Sequence, residues 1–89
     1  MWTGTVTDQN TDPVGGVLVQ VKAEVAGNDD VMHFSDTTAQ DGTYTVKFRW
    51  HEDINYTIRV VGSESTVYYE EVVGKVQLVD REQDIVITL

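Results

Sequence analysis

The feature that most constrains this chain is a strict two-residue alternation of apolar and polar side chains. Over residues 43–50, Tyr44, Val46, Phe48 and Trp50 fall on one side, and Thr43, Thr45, Lys47 and Arg49 fall on the other. Residues 17–25 repeat the pattern, with Val17, Val19, Val21, Ala23 and Val25 set against Leu18, Gln20, Lys22 and Glu24. Successive side chains of a pleated strand point to opposite faces, so each segment can bury one face and wet the other. Trp2, Gly4 and Val6 alternate in the same way with Thr3, Thr5 and Thr7, and Tyr56, Ile58 and Val60 with Thr57 and Arg59. The chain closes on Ile85, Ile87 and Leu89, again one face of a strand. Residues 31–38 are more mixed and suit a sheet edge, while 67–73 and 76–79 add two short runs.

Turn-forming clusters separate these segments. They are Asp8-Gln9-Asn10-Thr11-Asp12-Pro13 running on to Gly15-Gly16, then Gly27-Asn28-Asp29-Asp30, Asp41-Gly42, His51-Glu52-Asp53 and the stretch from Gly62 to Ser65. Asn and Asp side chains bond the local backbone, Pro presets φ, and Gly accepts positive φ, which is why such clusters turn a chain. Asp41-Gly42 in particular reads as a tight hairpin, with Gly42 expected at positive φ or where a Cβ would clash. About seven short strands with frequent turns predict an all-β fold, an antiparallel sandwich. The apolar residues are chiefly Val with Ile, Tyr, Phe and Trp, which fit pleated sheets, and no stretch has the spacing of an amphipathic helix. The in-phase positions name the core: Val6, Val19, Val21, Tyr44, Val46, Phe48, Ile58, Val60, Ile85 and Ile87.

The 89 residues make one domain. A domain of this size buries roughly 60–65% of its unfolded surface, so its core is thin. A lone module of this kind has little to do by itself, so residues 1–89 are expected to be one β-sandwich domain excised from a larger protein. With no cysteine, disulfides and thiolate metal sites are excluded. The 15 carboxylates against 6 Lys plus Arg leave a net charge of −9. That charge repels phosphate backbones and anionic lipid surfaces, so neither nucleic acid nor a membrane is an expected partner. No apolar run approaches the ~20 residues that span a bilayer as a helix, and residues 1–89 are not expected to include a signal peptide.

Three stretches carry a family resemblance. They are Gly4-Thr5-Val6-Thr7-Asp8, the run from Pro13 through Gly16 to Val21, and the run from Thr38 through Gly42 and Tyr44 to Val46. Together they resemble the carboxypeptidase regulatory-like domains, whose pattern is G-x-V-x-D, P-x-x-G-x-x-V-x-V and T-x-x-x-G-x-Y-x-V/F. The transthyretin-like sandwiches and collagen-adhesin B-type repeats look similar. The resemblance covers nearly the whole chain and implies a seven-stranded antiparallel Greek-key β-sandwich, prealbumin-like. It further implies a non-catalytic module appended to enzymes, receptors and surface proteins, hence an extracellular or cell-surface location. Under the motif lie fold-forming residues: Gly4 for close packing, Pro13 for a turn, Gly42 for the hairpin, and Tyr44 as a core plug with its hydroxyl at the rim.

Candidate chemistry is sparse. Asp8, Asn10 and Asp12 have the alternating spacing of a helix-loop-helix calcium loop, but that loop needs Gly at its sixth position and Glu at its twelfth, where this chain has Pro13 and Val19. Turn formation accounts for the three side chains. A looser calcium site drawing on Asp29, Asp30 or Asp41 stays open, and no other cofactor is expected. His33 and His51 have no partner at metal-ligand spacing. Ring-cleaving dioxygenases of related core use two Tyr and two His on iron, but their motifs are missing. So are the terminal Tyr-Arg-Gly-Ser motif of the transthyretin-like hydrolases and the G-x-S-x-G of a nucleophile elbow. The Lys–Asn isopeptide bond of some surface repeats lacks its Lys in residues 2–7 and its Asn in 84–89.

Sugar binding needs exposed aromatic faces, and Trp2, Trp50, Tyr68 and Tyr69 are the candidates. Neighbours in a strand face opposite ways, so one of Tyr68 and Tyr69 is expected outside. Two readings of function follow. One is a non-catalytic spacer that neighbours other domains of a parent protein. The other is a module binding a glycan or a protein through a sheet face, with Tyr68, Tyr69 and Trp50 as ligand residues, or through an edge strand.

Overall fold

The computed structural model describes residues 1–25, 31–47, 54–74 and 80–89. Two sheets pack face to face. In the first, β1 (Trp2–Thr7) pairs antiparallel with β4 (Thr43–Val46) and parallel with β7 (Arg81–Glu82) and β8 (Ile85–Val86). The second is antiparallel throughout, in the order β3 (Val31–Thr37), β2 (Leu18–Val25), β5 (Ile54–Val61), β6 (Val67–Gly74). This is the all-β sandwich that the alternation predicts. Among the described residues eight strands stand where about seven are expected, and the surplus has a simple origin. Trp2 pairs with Arg81 and Val6 with Ile85, the same offset, so β7 and β8 are one strand interrupted at Gln83 and Asp84. The expected antiparallel pairing does not extend to this segment, which joins β1 in parallel.

The core follows the sequence periodicity. Val6, Val19, Val21, Tyr44, Val46, Ile58, Val60, Ile85 and Ile87 are all at most 2% exposed. Phe48, the remaining expected core residue, lies outside the described residues. Each fully buried Val or Ile contributes roughly 1.5–3 kcal/mol relative to an exposed one, and together they form one cluster between the sheets. Trp2 and Tyr56 join it, ring edge to ring face, with centroids 6.2 Å apart at 76°.

The motif residues have structural tasks. Thr38 is buried; its Oγ1 accepts from Val17 N, while its own N–H donates to Val17 O. Gly42 has φ +80°, and a Cβ there would stand 2.5 Å from the carbonyl oxygen of Val6. The loop around it closes through Gly42 N to Ala39 O and Ala39 N to Thr43 O. The strands it joins, β3 and β4, belong to different sheets, so Asp41-Gly42 makes an inter-sheet corner instead of the expected hairpin. The corner is pinned by Asp41, whose Oδ1 accepts from Thr43 N and Thr43 Oγ1. The Asp36 carboxylate on β3 crosses to cap Thr45 N on β4 at 2.8 Å.

Candidate functional site

Among the described residues, those singled out from sequence do not converge on one place. Trp50, His51, Asp29 and Asp30 lie outside the described residues. Trp2 is 1% exposed, so its faces belong to the core and offer no stacking platform to a sugar. The alternation that puts Val6 inside puts Trp2 there as well. Among the described residues, no group of three or more acidic or imidazole side chains is arranged to hold a metal ion.

The Asp8 loop shows what its polar residues do. The Asp8 carboxylate accepts from Asn10 N at 2.8 Å and from Asp12 N at 3.1 Å through the same oxygen. The backbone closes beneath it, with Asp8 N donating to Asp12 O and Thr11 N to Asp8 O, and Thr11 takes φ +64°. This is an Asx turn: the carboxylate satisfies two backbone donors that the tight bend leaves without strand partners. The side chain of Gln9 then holds the last residue of the chain, Nε2 donating to Leu89 O at 3.2 Å and Leu89 N donating to Oε1 at 3.0 Å.

Tyr68 and Tyr69 are both half-buried, and both rest against the core cluster. The β5–β6 ladder shifts register between Val60 and Val61, beside Tyr68. The Tyr68 ring lies on Gly62, where any side chain would collide with it. Tyr69 sits opposite Val60 and Glu71 opposite Ile58, so both point toward the other sheet. There Tyr69 OH donates to Glu71 Oε2 at 2.6 Å. Gln83, from the break between β7 and β8, reaches across: its Nε2 donates to the same Glu71 oxygen at 2.7 Å and to Tyr69 OH at 3.3 Å. Arg81 Nε donates to Gln83 Oε1 at 3.2 Å, and its guanidinium lies 5.4 Å from the centroid of the Trp2 ring. A polar bridge thus runs from the core edge of the first sheet to the edge strand of the second.

The electrostatics of this bridge are those of a fixed contact. The bond to Glu71 is the main cause that holds the Tyr69 hydroxyl above its ordinary range. The same bond, followed by that from Gln83, holds the Glu71 carboxyl below its own. At neutral pH the phenol keeps its proton and the carboxylate its charge, so the hydrogen bond between them persists. Beneath it, Gln83 O accepts from Tyr44 OH and presses onto β1, where a Cβ on Gly4 would lie 1.8 Å from it. Burial, with Asp84 nearby, pushes the Tyr44 phenol far up. Next along the chain, Asp84 Oδ1 accepts from Thr5 N at 3.1 Å and Thr5 Oγ1 at 3.0 Å, filling the gap in the ladder between β7 and β8.

Sequence reasoning missed Arg81, Glu71, Gln83 and Asp84. One signal was there: Arg81 and Gln83 share parity with Ile85 and Ile87, so the alternation already places their side chains on the inner side.

No protein-family model matches the chain, and no curated protein matches it. Among solved structures, it is similar to a 9R-lipoxygenase from Cyanothece PCC8801, with a TM-score of 0.67 and 14% identity over 99% of this chain. The chain spans 16% of the length of that protein. At this identity the likeness is one of fold alone.

Proposed function

We propose that this domain is a non-catalytic structural module, a spacer that neighbours other domains in a larger extracellular or cell-surface protein of the carboxypeptidase regulatory-like kind. The observation that carries the reading is the employment of its polar side chains. Asp8, Asp36, Asp41 and Asp84 each hold backbone N–H groups, and Tyr69, Glu71 and Gln83 hold one another across the sheets. Groups engaged in this way support a frame and, among the described residues, leave no nucleophile, base or ligand set aimed at a common point. The similar fold occupying 16% of a lipoxygenase chain is consistent with a sandwich built into something longer. On this reading the domain needs no cofactor, and calcium at the Asp8–Asp12 loop is adventitious.

The test is a thermal-shift measurement of the isolated domain with millimolar calcium, beside a glycan array. Unchanged melting and an empty array are expected. A calcium-dependent rise abolished by Asp12→Ala, or array binding lost on Tyr68→Ala, would overturn the spacer reading.

One observation favours a second reading, protein binding through an edge. Strand β6 borders its sheet with Val72 at 73% exposure and Val67 at 46%. A bordering strand can accept an added strand from another chain. Association abolished by Val72→Lys would select this reading over the spacer.

A further inference from the structure

We infer that the domain carries tension, and does so by shear between its first and last strands. The inference rests on the spacer reading, and it starts from the parallel pairing of β1 with β7 and β8. Because the two ends of the chain run side by side in the same direction, Met1 and Leu89 leave the sandwich at opposite ends. Met1 O accepts from Arg81 N at one end, and Gln9 grips Leu89 at the other. At ~3.3 Å per residue the two points lie about 20 Å or more apart along the strand. When neighbouring domains pull on these ends, β1 is drawn one way along its axis and β7–β8 the other.

In that geometry the hydrogen bonds between the strands lie across the force and share it. They must fail together, whereas a hairpin pulled open from its free end loses one pair at a time. The loaded bonds include Arg81 N to Met1 O, Gln83 N to Thr3 O and Ile87 N to Thr7 O. Side chains reinforce them at the two places where the ladder is weakest. Asp84 grips Thr5 through N–H and hydroxyl at the break between β7 and β8, and the Gln9 amide makes two bonds with Leu89 past the end of β8.

Sliding is resisted a second time by the core. Trp2 and Val6 on β1, with Ile85 and Ile87 on the last strand and beyond it, are all buried against the other sheet. A slip of one residue would turn each of these side chains to the wrong face, so the strands can move only by breaking the whole contact. Gln83 locks the same segment crosswise through Glu71 and Tyr69.

The experiment is single-molecule force spectroscopy of the full 89-residue chain held in series between handle domains. Force is applied in two ways at one pulling speed: through the two termini, and between Asn10→Cys and the C-terminus. The chain has no native cysteine, so the second attachment is unique. Asn10 lies beside the Gln9–Leu89 pair, so this geometry peels the last strand from β1 one rung at a time. Forced unfolding reports the unfolding rate along the pulled direction, and the expected result is a severalfold higher force through the termini. Asp84→Ala should lower the terminal force, while Glu70→Ala on the other sheet should leave it in place. Equal forces in the two geometries, or a lower force through the termini, would overturn the inference. Low terminal force together with an empty glycan array would do so while leaving the spacer reading intact. High terminal force in a domain that binds a glycan would support the shear and remove the spacer.

Discussion

In the β3-β2-β5-β6 sheet the strands run 7 or 8 residues and are held backbone to backbone over nearly their whole length. In the sheet built on β1 the partners run 4, 2 and 2 residues, and much of the work passes to side chains. Asp84, Gln9 and Tyr44 each bond the backbone of a segment distant in sequence, and Asp36 bonds that of β4 from the other sheet. The difference teaches where each kind of damage will be felt. A long ladder tolerates a small loss from its packed face, because neighbouring rungs keep the register. A short ladder pressed onto a glycine tolerates no addition, because the atoms it meets are backbone and cannot turn away.

The largest effect should come from Gly4→Ala. The added carbon would stand 1.8 Å from the Gln83 carbonyl oxygen, so the last strand must lift from β1. A loss of about 3 kcal/mol or more is expected. Ile58→Val removes one carbon from the core of the longer sheet and should cost only about 1 kcal/mol. Urea midpoints of the two variants measure the comparison, and equal losses would break it.

The alkaline limb of stability is the next test. Tyr44 and Tyr69 both have their hydroxyls held above the ordinary value of 10.0. A raised folded value keeps the proton on in the native state while the unfolded chain loses it. The contribution is therefore fully present below pH 10 and lost as pH rises toward the folded values. Thermal melts between pH 8 and 11.5 should show a steep fall beginning near 10, and Tyr44→Phe should flatten it. An unchanged slope in that variant would mean the shorter sheet does not depend on this hydroxyl.

A smaller effect is expected from salt. With a net charge of −9, carboxylates repel over distances that NaCl screens, within a Debye length of ~10 Å at 0.1 M. The melting temperature should rise from low to moderate ionic strength. A flat or falling response would show that the aspartates used as backbone caps are compensated where they sit.

Much of the longer sheet was legible in the sequence, since Val19, Val21, Ile58 and Val60 sit in phase and burial follows phase. Gly42 was legible too, because an Asp-Gly turn favours a residue that accepts positive φ whatever the strand meets next. Which sheet the strand joined was not legible, as the same turn can close a hairpin or cross between layers. The bridge of Arg81, Gln83, Tyr69 and Glu71 was hidden for a related reason. Polar side chains in a run such as Asp80 to Asp84 look solvated until chain closure brings a partner from far along the sequence. The register shift beside Tyr68 likewise depends on β5, and nothing within Val67–Gly74 announces it. The Asp8 loop lies between these cases: its residue types were read correctly as turn-forming, while the same spacing suggested a cation.

Those two meanings of Asp8 differ in sign, and the account as a whole turns on that sign. If polar side chains in this domain serve the frame, Asp8→Ala deprives Asn10 N and Asp12 N of their acceptor and lowers stability by about 0.5–1 kcal/mol. If Asp8 is a ligand held beside Asp12 to await a cation, removing one of two close negative charges from a chain of net −9 relieves repulsion and raises stability. The decisive measurement is the urea midpoint of Asp8→Ala against the parent chain in EDTA at low salt. The account predicts a lower midpoint for the variant, and a higher one would contradict it.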